Sequence, residues 1–229
     1  MEISWHFTER DFFWQLPSEK KDFVALATPR SIERNQFIFL EGNNGSSAFY
    51  LEEGKVRIFR ISPFGKEAIV FIRHPGEMFG LAEILGEQKR VFSAQAITSC
   101  RLYEIRKKEF EVLLHRHYAV AKRIIEVLGR RLRYLGEQIE SLMVCDVPTR
   151  LLKLLICLCC HNITDPTTLN KPIPVPVKLT QEQIAAMIGS SQQTVSETLK
   201  KMKEDGLIKI SGKEITLLNP KEIFERILV

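Results

Sequence analysis

The chain has 229 residues, enough for about two domains, and a hydrophobic fraction of 45% that supports ordinary packed cores. A formal net charge of +5 permits nucleic acid without demanding it, and from Asp146 onward 11 Lys/Arg face 9 Asp/Glu, so any case for DNA has to rest on pattern. No apolar run approaches the ~18 residues of a membrane span, and the acidic, aromatic start lacks the charged-then-apolar order of a signal peptide. The five cysteines (Cys100, Cys145, Cys157, Cys159 and Cys160) are odd in number and cluster late, which points to a reducing cytoplasm and away from a secreted disulfide framework.

Residues 4–27 read as helical, with Trp5, Phe7, Phe12, Phe13, Trp14, Phe23 and Leu26 packing onto the next domain and Pro17 opening a second short helix. From Ser31 to about Glu104 the pattern changes. Short β-rich runs (Phe37 to Leu40, Ala48 to Leu51, Val56 to Ile61, Ala68 to Ile72, Ala94 to Ile97, Arg101 to Ile105) alternate with Gly- and Pro-containing turns. Strands at this spacing predict an antiparallel roll or jelly roll of about eight strands. Glu77 to Gly86 interrupts it as a strand end entering a short helix, with Gly80 placed where backbone amides could meet an anion.

A short helix over Phe110 to Leu114 precedes a long one over about Ala119 to Val144. There Ile125, Leu128, Leu132, Leu135, Ile139 and Leu142 are separated by three, four, three, four and three, an a/d seam of about three heptads. Such a seam calls for an identical partner in a parallel homodimer, with packing against the chain's own roll as the alternative. Pro148 breaks the seam, and Asp146 or Thr149 caps a helix expected over Arg150 to His161. Residues 162–178, rich in proline, read as a loop and an edge strand.

The most informative stretch is Thr180 to Lys213. Thr180 with Gln183 three residues on, before Ile184, Ala185, Met187 and Ile188, is a capping box that starts a helix at about Gln181. Gly189 supplies a tight turn, Ser190 or Ser191 caps the next helix, and Val195, Leu199 and Met202 form its inner face. Gly206 follows as a C-terminal cap. Leu207 to Ile210 and Ile215 to Leu218 then read as a hairpin. Two short helices and a hairpin describe a winged helix-turn-helix. The outer face of the second helix carries Ser191, Gln192, Gln193, Ser196, Glu197 and Lys200, groups suited to base edges in a major groove.

Other chemistry is weakly represented. Cys157, Cys159, Cys160 and His161 fan over different faces of one helix with no second cysteine pair, so they read as core and no metal is assigned. His6, His74, His115 and His117 lack ligand spacing, which leaves a haem on a single axial histidine as the alternative. There is no P-loop, nucleophile elbow or recognisable carboxylate pair, so the chain is read as not an enzyme. A cupin-like metalloenzyme, the second class weighed, needs a His-rich strand where the roll offers only His74.

Together, Phe49 to Arg60, Pro75 to Gly80, the seam, Asp146 to Arg150 and Thr180 to Lys213 resemble the cyclic-AMP-receptor/FNR (CRP/FNR) family of bacterial transcription regulators over nearly the whole chain. The resemblance implies an α+β fold: a cyclic-nucleotide-binding-like β-roll that senses an effector, a long dimerisation helix, and a winged helix-turn-helix. The expected divisions are residues 1–117, 118–145 and 146–229. It also implies double-stranded DNA with a palindromic operator, and RNA polymerase, as partners.

The departures bear on the effector. Cyclic-AMP binders of the family carry Gly-Glu and later Arg-Ser where this chain has Gly80-Leu81 and Arg90-Val91, and a Thr-Ser pair where it has Leu135-Gly136, which argues against cyclic AMP. No cysteine precedes Cys100, which argues against the family's iron–sulfur cluster, and Gly80-Leu81-Ala82 stands where carbon-monoxide sensors have Cys-x-His. The family's base-contacting Arg-Glu-x-x-x-Arg matches Gln192, Gln193 and Glu197. Gln193 is expected to hold adenine, Glu197 to accept from cytosine and Ser196 to lie beside them. Thr180, Ser191, Thr194 and Lys213 match family phosphate contacts, and Lys200 is grouped with them.

The expected effector pocket is Phe71, Met78, Phe79, Gly80, Leu81, Arg90, Phe92 and Ser93 with Leu132 and Leu135, mostly apolar and so suited to an aromatic or haem-like molecule. The overall expectation is a homodimeric transcription activator under a small-ligand, redox or gas signal, with a haem-dependent NO/CO sensor as the variant reading.

Overall fold

The computed structural model describes residues 11–62, 65, 67–86, 88–159, 163 and 166–227. Trp5, His6, Phe7, Cys160 and His161, singled out above, lie outside the described residues. Two compact units divide the chain, Glu9–Arg131 and Leu132–Val229.

The first unit holds the roll. Helix α1 (Pro17–Leu26) has proline in its first turn. Eight strands follow: β1 (Thr28–Ile32), β2 (Phe37–Phe39), β3 (Ser47–Glu53), β4 (Val56–Ile61), β5 (Glu67–Arg73), β6 (Met78–Phe79), β7 (Ser93–Ala96) and β8 (Cys100–Arg106), with the short helix α2 (Leu81–Ile84) between β6 and β7. They form two four-stranded antiparallel sheets, ordered β1-β8-β3-β6 and β2-β7-β4-β5. Six strands fall where the apolar runs lie. β1 does not announce itself in sequence, because it is exposed along most of its length, and β6 is the strand end expected ahead of the short helix.

The alternation of side chains along a strand explains the apolar run in β3. Phe49 and Leu51 enter one core with Val56, Phe79 and Leu102. Ala48 and Tyr50 enter another with Phe12, Phe13, Phe23, Met78, Ile105 and Phe110. One sheet is therefore buried on both faces, against the second sheet on one side and against helices on the other. Residues 12–15, expected to be helical, instead form a turn, with Gln15 at a positive φ of 61°. That turn places Phe12 edge-to-face on Phe13 at 4.9 Å between ring centroids.

Helix α3 (Lys107–Arg116) leads into α4 (Tyr118–Val144). The first turns of α4 belong to the roll, since Val120, Ile124 and Val127 are buried in the core that holds Phe12 and Tyr50. Arg123 reinforces this by donating to the carbonyls of Phe12 at 3.2 Å and Trp14 at 3.1 Å. The compact units accordingly part inside α4.

In the second unit, α5 spans Val147–Cys159, so it begins three residues before the expected Arg150. Asp146 Oδ1 accepts the Thr149 amide at 2.9 Å, and Pro148 is tolerated because a first-turn amide has no intrahelical acceptor to lose. A 3-10 turn (Pro166–Asn170) and β9 (Ile173–Pro174) lead to α6 (Gln181–Ile188), α7 (Gln192–Glu204), β10 (Ile208–Ser211) and β11 (Glu214–Leu217). β9 pairs with β11, making the hairpin a three-stranded sheet. A last helix, α8 (Pro220–Ile227), is not among the expected elements; it packs on α5 and buries Ile223.

The Thr149 hydroxyl and amide hold the Asp146 carboxyl below its ordinary range. A depressed pKa means the cap's stabilisation is present above the unfolded-state pKa and lost as pH falls through the folded one. Asp146→Ala is expected to destabilise the second unit by about 0.5–2 kcal/mol at neutral pH, the usual value of an N-cap. The difference from wild type should close below about pH 4, as read by urea unfolding monitored by circular dichroism.

Candidate nucleic-acid interface and sensor segment

The helix-turn-helix is built by local hydrogen bonds that the sequence specifies. The Gln183 amide donates to Thr180 Oγ1 at 3.1 Å and the Thr180 amide to Gln183 Oε1 at 2.9 Å, completing the capping box. Gly189 sits at φ 62°, a conformation that favours glycine, and a Cβ there would press on Leu142 Cδ2 at 3.0 Å. Of the two candidate caps for α7, Ser191 is used: its Oγ accepts the Thr194 amide at 3.1 Å. The helix ends with the Gly206 amide on Lys203 O and the Leu207 amide on Met202 O, the paired bonds of a Schellman motif.

Val195, Leu199 and Met202 are buried, as their spacing demands. Thr198 joins them, with its hydroxyl donated to Thr194 O at 2.7 Å; a polar residue there gives no sequence signal of burial. The opposite face presents Ser191, Gln192, Gln193, Glu197 and Lys200 exposed, with Ser196 and Thr194 half-buried. Gln193 Nε2 donates to Glu197 Oε1 at 3.1 Å. No acid stands in the first turn of α7, so its dipole leaves that end favourable to phosphate. The hairpin turn is Gly212-Lys213, since Ser211 pairs with Glu214. Lys178 Nζ lies 2.6 Å from Glu214 beside it, a contact that holds the Glu214 carboxyl below its usual pKa. Thr180 Oγ1 and the Ser191 hydroxyl already serve as caps, so in this geometry they order the backbone amides around them.

The sensor segment is arranged differently from its sequence expectation. Met78 and Leu81 enter the core with Tyr50. Phe79 enters the inter-sheet core, against which Phe71 and Phe92 pack. Adjacent strand residues point to opposite faces, so the eight roll residues named above do not converge on one cavity. A groove of the roll lies over Pro29, Arg30, Ser31, Glu52, Arg101, Leu102 and Tyr103. Ser93 is buried, and its hydroxyl accepts the Glu41 amide at 3.0 Å.

Arg90 is 3% exposed and bound internally. It donates to Glu83 Oε2 at 2.8 Å, to Gly80 O at 3.0 Å and to Ser47 O, and its guanidinium stacks 4.4 Å from the Phe39 ring centroid. Its Nε is buried without a hydrogen-bond partner among the described residues. Gly80, at φ 73°, fits under it; a Cβ would lie 3.0 Å from the guanidinium. α2 has only four residues, and the guanidinium of Arg90 occupies the place beside Gly80 where an anion was expected. In this arrangement the Arg90 guanidinium is turned onto Glu83 and the carbonyls of Gly80 and Ser47.

On α4, Ile125, Leu128, Leu132, Ile139 and Leu142 are exposed and Leu135 is half-buried. Arg131 donates to Met78 O at 2.6 Å, tying the helix to β6. Among the described residues no group of three His, Cys, Asp or Glu is placed to hold a metal. Cys159 is buried and Cys157 half-buried on α5. His117 pairs with Asp22 at 2.9 Å, and His115 is exposed, so neither sits at the sensor segment.

Residues 29–117 match the family model described as cyclic nucleotide-binding domain, and residues 149–224 match the Crp-like helix-turn-helix domain. Curated relatives include the CRP-like cAMP-activated global transcriptional regulator of Mycobacterium tuberculosis, 29% identical over 210 residues that cover 92% of each chain. The cyclic AMP receptor protein of Thermus thermophilus is 28% identical over 194 residues, 85% of each chain. Among solved structures, the c-di-GMP responsive global regulator CLP of Xanthomonas campestris superposes with a TM-score of 0.73 at 22% identity, over 88% of this chain and 98% of that one. A CooA mutant from Carboxydothermus hydrogenoformans gives 0.72 at 21% identity, over 89% and 88%. The structural likenesses establish the fold; the relatives are DNA-binding regulators and not enzymes.

Removing Glu83 alone would leave the Arg90 charge buried and uncompensated. Glu83→Ala is expected to destabilise the roll unit by about 3–5 kcal/mol, whereas the apolar pair Glu83→Leu with Arg90→Met should cost far less. Thermal unfolding of the three proteins measures the difference.

Proposed function

Because this chain belongs to the CRP/FNR family of transcription regulators, we propose that it acts in the cytoplasm as a homodimer. In this reading it binds a palindromic operator and activates transcription with RNA polymerase in response to a small effector. The observation that carries the dimer is the pair of apolar stripes on α4. Val120, Ile124 and Val127 are spent on the roll's core, while Ile125, Leu128, Leu132, Ile139 and Leu142 remain exposed at heptad spacing. Leucines and isoleucines repeated every three and four residues on an otherwise charged helix are what a coiled-coil partner covers. A twofold pair presents two copies of α7 to half-sites roughly 34 Å apart.

On DNA, Gln192, Gln193 and Ser196 face the bases, while the α7 N-terminus with Thr194, Lys200 and the wing's Lys213 meets phosphates, which position without specifying. Gln192 and Glu197 stand in place of the family's two arginines and Gln193 in place of its glutamate, which gives an operator different from the family's usual one, with adenine the base that suits Gln193.

The effector acts on the segment from Met78 to Arg90. An apolar molecule is favoured over a nucleotide, because Arg90 is closed by Glu83. Any shift of β6 is felt by α4 through the Arg131 contact with Met78 O. Arg150, which donates to Cys145 O at 3.0 Å and reaches Gly189 O at 3.5 Å, links the end of α4 to the helix-turn-helix turn. The effector shifts the protein only by its difference in affinity for the two states.

Leu132→Glu is expected to give a monomer by sedimentation, with operator affinity lowered at least ten-fold; an unchanged sedimentation profile would remove the seam from the account. Gln193→Ala is expected to relax one base position, at a cost of about 1–3 kcal/mol against the preferred site, measured by competition binding.

A further inference from the structure

The amide of Gln193 is not free to turn. Its Nε2 donates to Glu197 Oε1 at 3.1 Å, one helical turn along the exposed face of α7. Only the nitrogen end of the amide can face a carboxylate, since the oxygen end would set two acceptors against each other. The pair therefore fixes the amide's direction. One Nε2 hydrogen is committed to Glu197; the other hydrogen and Oε1 remain.

What remains is one donor beside one acceptor, the complement of adenine's N7 and N6 amino group. Guanine shows two acceptors, N7 and O6, and holding both takes two donors, of which Glu197 has taken one. Cytosine shows a donor alone and leaves the remaining Gln193 hydrogen without a partner. We infer that Glu197 is a positioning residue: it meets no base, and by holding Gln193 it makes adenine the preferred base at one operator position. This rests on the proposed reading of DNA through α7, and it gives Glu197 a role other than accepting from cytosine.

The test is selection of binding sites from a randomised duplex pool by the full-length protein, comparing wild type with Gln193→Ala, Glu197→Ala and Glu197→Gln. Both residues are exposed, and matched melting temperatures confirm that the variants fold. Glu197→Ala is expected to relax the same position as Gln193→Ala, adenine preference falling from roughly 5- to 150-fold, the value of one bidentate contact, to below about three-fold. Glu197→Gln keeps an oxygen acceptor and should keep the adenine. If Glu197→Ala instead erases a preference at a different position, Glu197 reads its own base and the inference is overturned; a Glu197→Ala profile identical to wild type overturns it too. A wild-type protein that enriches no site at all overturns the DNA reading itself, and this inference with it, a result visible before any variant is compared.

Discussion

One helix has to satisfy two apolar demands at once, and the rest of the molecule depends on how α4 does so. With 3.6 residues per turn, a shift of one position rotates a stripe by about 100°. Val120, Ile124 and Val127 form one stripe, and Ile125, Leu128 and Leu132 begin another, rotated by about that angle. The first is closed by the roll, with Arg123 on the carbonyls of Phe12 and Trp14 and Arg131 on Met78 fastening the backbone. The second has no comparable cover among the described residues. Had the roll used the heptad stripe, no surface would be left for a second copy. Because it uses the neighbouring one, the heptad stripe stays available for the proposed pairing.

The same economy governs the sensor segment. A guanidinium excluded from water needs a compensating charge and hydrogen-bond acceptors. Arg90 finds them in Glu83 and in the carbonyls of Gly80 and Ser47. A phosphate entering here would have to displace the Glu83 carboxylate, exchanging one anion for another inside a site already shaped by glycine at residue 80. In this structure Arg90 is paired internally, with only its Nε left without a partner among the described residues. Arg90 holds the β6–α2 corner together as the buried ion pair of a packed core, while Arg131 ties Met78 of β6 to α4.

Legibility in the sequence followed the range of the interactions. The capping box at Thr180, the turn at Gly189, the Ser191 cap and the buried face of α7 are all made within four residues, so the sequence displays them directly. The eight-strand roll was legible as alternation punctuated by turns. What escaped were features set by distant partners. Met78 and Phe79 look like neighbours lining one pocket, but strand geometry sends them into separate cores. The Arg90–Glu83 pair joins residues on either side of a turn, and nothing in their spacing marks it. α8 does carry a local signal, Asn219-Pro220 opening a helix with Glu222 in its first turn and Ile223 on its inner face, but it is too short for its apolar spacing to stand out.

Charge sets the final constraint on how such a protein can read DNA. Arginines at the base-reading positions of a helix contribute long-range attraction as well as specific hydrogen bonds. Here those positions hold Gln192, Gln193 and Glu197, and the whole region from Asp146 has an excess of only two basic residues, 11 against 9. Bulk attraction to the duplex is correspondingly weak, and Glu197 subtracts from it. The attraction that remains is local: Lys200 and Lys213 on exposed positions, and the acid-free first turn of α7. A single copy with so little non-specific hold gains little from one half-site. Two copies joined along α4 count the same contacts twice, because once the first α7 is seated the second binds at the effective concentration that a rigid connection imposes. Weak electrostatics at the reading helix leave a single copy little affinity, and under the proposed pairing the exposed stripe of α4 carries the difference.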